Sequence, residues 1–142
     1  VLIVPFHKEE EKIVVIRQFR VPINSYIYEM PAGLIDKGES PQTAITRELK
    51  EETGLDVIEI LKNTVKGQLF LSPGMTDESV TSVFCTCGGT ISKAYMEEDE
   101  DIEPILLSQK EAQELLIKDV KFDIKCYIYL QEFAKSGNEM FK

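Results

Sequence analysis

The chain has 142 residues, 43% hydrophobic and 29% charged, an ordinary composition for one globular domain with a core of its own. A formal net charge of −9 disfavours binding to the phosphate backbone of nucleic acids, and a small phosphorylated substrate would meet the same repulsion unless cations accompanied it. No apolar run reaches membrane-spanning length and no cleavable leader is visible, so a cytoplasmic protein with neither nucleic acid nor membrane as partner is expected.

In chain order, Val1 to Phe6 predicts a strand already under way at the first residue, so an N-terminal piece is expected to be missing. His7 to Lys12 is a charged turn, and His7, beside Lys8 and Glu9, is expected to be solvated rather than a ligand. Ile13 to Ile16, continuing into Arg17-Gln18-Phe19-Arg20, completes a hairpin. Val21 to Ser25 reads as a loop, and Tyr26 to Met30 as a short strand halted by Pro31. Ser40 followed by Pro41 opens a helix: a capping residue, then proline at the first helical position. Ala44, Ile45 and Leu49 form its apolar stripe, and Gly54 suits a cap with positive φ.

Val57 to Leu61 and Val65 to Leu71 are predicted strands, Ser72 to Glu78 a turn-rich loop, and Ser79 to Cys87 a strand ended by Gly88-Gly89. Met96 to Asp101 is an acidic run, and Pro104 to Leu107 a short strand. A capping box at Ser108 and Glu111 opens a helix to about Lys118. Asp123 caps a last helix that Gly137 stops after Ser136. One early helix, two late ones and a mixed sheet make an α/β (α+β) layered fold in a single domain, residues 1–142. Cys85 and Cys87 point the same way off one strand, a spacing that is neither a zinc site nor a redox pair, so reduced core cysteines are expected.

The chemistry gathers between Gly33 and Leu55. On a helix Glu48 and Glu52 are neighbours, and Glu51 adjoins them. Like charges at that spacing weaken a bare helix, whereas a hard divalent cation takes such oxygens as ligands, commonly one or two carboxylates together with substrate phosphates. Glu48, Glu52 and Glu51 are therefore candidate metal ligands, with the carbonyl of Ala32 as a further oxygen. The competing reading is an acidic, solvated helix face.

Gly33, Glu39, Arg47, Glu48, Leu49, Glu51, Glu52, Gly54 and Leu55 resemble the Nudix box, G-x5-E-x7-R-E-U-x-E-E-x-G-U with U aliphatic, and fill every specified position. The resemblance implies a Nudix-type α/β/α sandwich with a mixed β-sheet. It also implies a hydrolase that uses Mg2+, or Mn2+ in its place, to direct water onto one phosphorus of a pyrophosphate. Arg47 would support the site by pairing with Glu51 or by reaching back to Glu39.

The likeness continues outside the box. Arg17-Gln18-Phe19-Arg20, the run Tyr28 to Glu39, and Ser72-Pro73-Gly74 are similar to segments of the ADP-ribose pyrophosphatase branch. That branch implies cleavage of ADP-ribose or a related nucleoside diphosphate sugar to AMP and ribose 5-phosphate. Arg17, Arg20 and Glu29 would hold phosphate or ribose, and Ser72, Gly74 and Met75 would border the terminal ribose. In such relatives the base often lies on a late acidic loop; Glu100 is the first candidate here and Glu98 the second, against the alternative of a solvated loop.

Two features depart from that branch. Pro73 lies farther from the box than is usual there, the chain has no tryptophan, and it is expected to lack the N-terminal β segment that in relatives often contacts adenine and is exchanged between subunits, so the base preference and a homodimer both stay open. A nucleoside triphosphate pyrophosphatase with the same box, or a non-catalytic nucleotide-binding module, are the other functions weighed. Degenerate modules lose box glutamates, and none is lost here.

Overall fold

The computed structural model describes residues 1–62, 64 and 67–142. A hairpin, β1 (Leu2–His7) and β2 (Lys12–Arg20), begins the fold, and β3 (Ser25–Glu29) folds back on β2 after a 3-10 turn at Val21–Ile23. Helix α1 (Pro41–Thr53) follows, then β4 (Asp56–Ile60), the short pair β5 (Leu69–Phe70) and β6 (Ser79–Val80), and β7 (Ser82–Gly88). The chain closes with β8 (Ile102–Leu107), α2 (Gln109–Leu116) and α3 (Ile124–Ser136).

The main sheet is mixed. It runs β3-β2-β1-β7-β4, and β1 and β7 are parallel while the other pairs are antiparallel. β2 uses both edges: β8 lies along Ile13 to Gln18, while β1 meets its start and β3 its end.

Strand alternation sorts the core into two layers. Ile3, Val14, Val83, Cys85 and Cys87 face α1 and pack on Ala44, Ile45 and Leu49. Leu2, Val4, Phe6, Ile13 and Val15 face the other way, onto Ala112, Leu115, Leu130 and Phe133 of α2 and α3. The result is the expected helix–sheet–helix sandwich. Each side chain buried as completely as Leu49 contributes roughly 1.5–3 kcal/mol. Among the described residues no helix is long and apolar enough to cross a membrane.

The three caps form as the sequence predicts. Thr43 N–H donates to Ser40 Oγ at 3.1 Å, Ser108 and Glu111 make a reciprocal capping box, and Asp123 accepts from Lys125 and Cys126. Gly54 has φ of 78° and donates its N–H to Lys50 O.

Three expectations change. His7 is not a solvated turn residue: it ends β1, is 2% exposed, donates from Nε2 to Gly89 O at 2.8 Å and accepts at Nδ1 from Glu10 N–H at 3.2 Å. The run Ser79 to Cys87 breaks at Thr81, because Val80 pairs with Leu69 whereas Ser82 pairs with Leu2. Of the strand expected over Val65 to Leu71, residues 65 and 66 lie outside the described residues, and among the described ones the strand is Leu69–Phe70. Cys85, Cys87 and Cys126 are free and buried. Burial pushes all three thiols up, Cys87 to about 12, which leaves them as packing groups rather than nucleophiles.

Candidate active site

The site is built where α1 passes the segment Pro31-Ala32-Gly33. Ala44, Ile45 and Leu49 are drawn into the sheet, so the rotation of the helix turns Glu48 and Glu52 toward that segment. The segment is fastened to the start of β1: Ile3 N–H donates to Pro31 O at 2.8 Å, and Gly33 N–H donates to Val1 O at 3.1 Å. Those bonds leave the N–H and C=O of Ala32 pointing the other way. The N–H donates to Glu52 Oε2 at 3.1 Å, and no described donor reaches the carbonyl.

Gly33 has a separate reason to lack a side chain. A Cβ on it would stand 1.9 Å from Cδ of Glu48 and 2.0 Å from Oε1. The Glu48 carboxylate occupies the space that any other residue at this position would need.

Arg47 spends all five of its donors in one place. Nε and Nη2 clasp Glu39 at 3.0 and 2.9 Å, Nη1 reaches Glu48 at 2.8 Å and Glu51 at 3.1 Å, and Nη2 also donates to Leu34 O at 3.0 Å. Both sequence alternatives for Arg47 are therefore realised at once. The guanidinium ties the glycine loop to α1 and aims Glu48. Its hydrogen bonds to Glu39, helped by the Asp36 N–H, hold that carboxyl down at about 2.

The electrostatics of the two inner carboxylates are opposite. Glu52 is 5% exposed, and burial, followed by the charges of Glu48, Glu100 and Glu29, pushes it up to about 9 against the single bond from Ala32. Burial raises Glu48 too, with Arg47 opposing and Glu51 and Glu100 adding. Glu100 acts on both through its charge from the acidic loop, where its Oε2 accepts from Glu97 N–H at 3.1 Å. Glu98 makes no hydrogen bond or ion pair with the described residues.

Arg20 grips Glu29 bidentately at 2.8 and 3.0 Å. A cavity of about 500 Å³ beside the box is lined by Arg20, Ala32 and Gly33, with Gln68, Glu78 and Thr81 opposite. Arg17 is not there. It projects from the other face of β2, over the Tyr26 ring at 4.2 Å and 3.7 Å from Glu103. Gly74 and Met75 line a separate hollow of about 560 Å³ with Phe70 and Asp77, and the Ser72 carbonyl accepts from Met75 and Thr76 to close that loop. The stem of the loop, rather than its tip, reaches the box cavity. Gln68 and Glu78 carry no sequence signal that singles them out; only the β5–β6 pairing brings them in.

Among the described residues no three acidic, histidine or cysteine side chains gather into a ready metal-holding group. Two carboxylates and a carbonyl nevertheless suit a hard cation that takes its remaining ligands from substrate phosphate. Ala32 O without a donor, and Glu52 buried on one hydrogen bond, are what such an ion would complete.

Residues 1–130 match the family model described as the NUDIX domain. The chain is 34% identical over 125 residues to an ADP-ribose pyrophosphatase of Bacillus subtilis (strain 168), covering 87% of this chain and 65% of that protein. It is 35% identical over 135 residues to a methanol dehydrogenase activator of Bacillus methanolicus, covering 89% and 70%. It is 31% identical over 146 residues to a GDP-mannose pyrophosphatase of Enterobacter sp. (strain 638), covering 93% and 71%. The chain thus spans under two thirds of the B. subtilis protein's length.

Proposed function

We propose a reaction from one premise: the chain belongs to the NUDIX domain family. It hydrolyses the pyrophosphate bond of ADP-ribose or a related nucleoside diphosphate sugar, releasing AMP and ribose 5-phosphate from ADP-ribose. The observation that carries this reading is the shared cavity of Arg20, Ala32 and Gly33, which puts a bidentate arginine next to the box. Two of the relatives are named for nucleoside diphosphate sugars, which supports the same substrate class.

Mg2+, with Mn2+ able to replace it, would be held by Glu48, Glu52 and the Ala32 carbonyl, with Glu51 beside them. When bound, the ion neutralises phosphate charge and lowers the pKa of water. The rest falls to this chain's own groups. Arg20, held by Glu29 through Nε and Nη2, would offer the remaining Nη1–Nη2 edge of its guanidinium to the diphosphate. Arg47 keeps Glu48 and Glu51 aimed while its own charge offsets their repulsion. Glu100, whose charge is felt by Glu48 and Glu52, takes the proton from the attacking water, and Glu98 is the second choice for that role. Gln68 and Glu78 border the far side of the cavity, where the departing sugar phosphate would lie.

The test is a substrate panel with Mg2+: ADP-ribose, GDP-mannose and nucleoside triphosphates, with release of nucleoside monophosphate followed. Turnover of the diphosphate sugars above the triphosphates supports the reading. Turnover of triphosphates alone moves the chain to the other pyrophosphatase class, and tight binding without turnover makes it a nucleotide-binding module.

A further inference from the structure

Residues 89–101 cross from β7 to β8 without regular structure, and they carry Glu100. One end of this crossing is fastened to α1: Ser92 N–H donates to Thr53 O at 3.0 Å, and Lys50 Nζ lies 4.8 Å from the centre of the Tyr95 ring. From Lys93 to Glu100 the loop hydrogen-bonds only to itself among the described residues, through Ala94, Met96, Glu97 and Glu100.

Charge works against this arrangement. Glu97, Glu98, Asp99, Glu100, Asp101 and Glu103 all carry carboxylates, and the charge of Glu100 bears on Glu48 and Glu52. Without a counter-charge these groups repel, and the loop tends to leave the site. What stops it lies one residue beyond Glu100. Asp101 is the first position past the β2–β8 ladder, which ends at Gln18 and Ile102. Its carbonyl accepts from Phe19 N–H at a long 3.4 Å, while its carboxylate accepts from the Tyr26 hydroxyl at 2.5 Å. Tyr26 is Asp101's one side-chain partner among the described residues.

Tyr26 is itself held from two sides. The Arg17 guanidinium lies 4.2 Å from its ring centre, and Phe19 meets the ring edge-on at 5.4 Å. Arg17 also reaches Glu103 at 3.7 Å, so the same arginine braces both the tyrosine and the strand that leaves the loop.

We propose that Tyr26 is a positioning residue that, through its hydroxyl on Asp101, holds the acidic loop so that Glu100 stays within reach of the site that Glu48 and Glu52 form. The proposal rests on Glu100 being the base. It also gives Arg17 a place: on the far face of the sheet it acts through Tyr26 rather than on substrate.

Tyr26→Phe removes the hydroxyl and leaves the ring for Arg17 and Phe19. Loss of a hydrogen bond to a carboxylate predicts kcat about ten-fold lower with KM little changed. Asp101→Ala should match it, and the double variant should be no worse than either single one. Amide exchange in the free protein gives a readout that needs no substrate: the amides of Glu97 and Glu100 should exchange faster in Tyr26→Phe, while those in the middle of α1 do not change. In a Glu100→Gln background the tyrosine substitution should have no further effect on rate. Unchanged loop exchange, or wild-type kcat in Tyr26→Phe, overturns the proposal, as does an equal loss in the Glu100→Gln background. Wild-type turnover in Glu100→Gln alone overturns the reading of the base, and the proposal with it.

Discussion

The carboxylate carbon of Glu48 lies 1.9 Å from where a Cβ on Gly33 would stand, so the two residues share one volume. Gly33→Ala therefore acts on a residue fifteen positions along the chain. The substituted methyl must push Glu48 out of its place beside Arg47. Displacement of a reacting group by about 1 Å can cost about 100-fold, and that loss of kcat is expected with the fold retained. Steady-state kinetics and a thermal melt check it; an alanine variant at wild-type rate would show that the placement of Glu48 is unimportant.

Arg47 cannot be replaced by another cation. Lysine offers a point charge and three donors, whereas the site uses a planar fork on five acceptor contacts. Arg47→Lys should lower metal affinity or activity by about 10–100-fold, as is usual when the partner that orients a ligand is lost. Mn2+ titration followed by electron paramagnetic resonance reads the affinity directly.

The two tuned carboxylates predict opposite pH effects on stability. Glu39, ordinarily near 4.5, is held at about 2 when folded, so its contribution is present above 4.5 and is lost as pH falls toward 2. Glu52 is raised from 4.5 to about 9, so folding favours its protonated form; that contribution is complete below 4.5 and is lost as pH rises toward 9. In excess chelator, denaturation midpoints should therefore fall between pH 5 and 9. Glu52→Gln should flatten that decline, and Mg2+ should reverse it in the wild type by binding the ionised form. Parallel pH curves for wild type and variant would contradict the assignment.

Arg20 and Arg17 separate cleanly in kinetics. Arg20→Ala removes the fork at the box cavity and should raise KM about ten-fold or more, the scale of a hydrogen bond to a charged group. Arg17→Ala touches no part of that cavity, and its effect should appear in kcat. Equal rises in KM for the two variants would place both on substrate.

The helix boundaries were legible because cap chemistry is local: Ser40 with Pro41, Ser108 with Glu111, and Asp123 each act within three residues. The box was legible because its spacing is helical. The burial of His7 was not, since its polar neighbours suggest a turn while its partner, Gly89, lies 82 positions away. The break at Thr81 was hidden for the same reason: the run alternates enough to read as one strand, and the change of partner from Leu69 to Leu2 divides it. The separation of Arg17 from Arg20 could have been read from the period of two, because residues three apart on a strand face opposite ways. Gly33 was legible as a turn glycine, but the need for it comes from Glu48.

Cleavage of ADP-ribose with Mg2+ titrated from none to excess, in the wild type and in Glu52→Gln, tests the central claim most directly. Wild-type AMP release should vanish in chelator and return with the ion, and the variant should be slower by about 100-fold or more at every concentration. AMP release that persists in excess chelator, or a variant as fast as the wild type, would contradict the account.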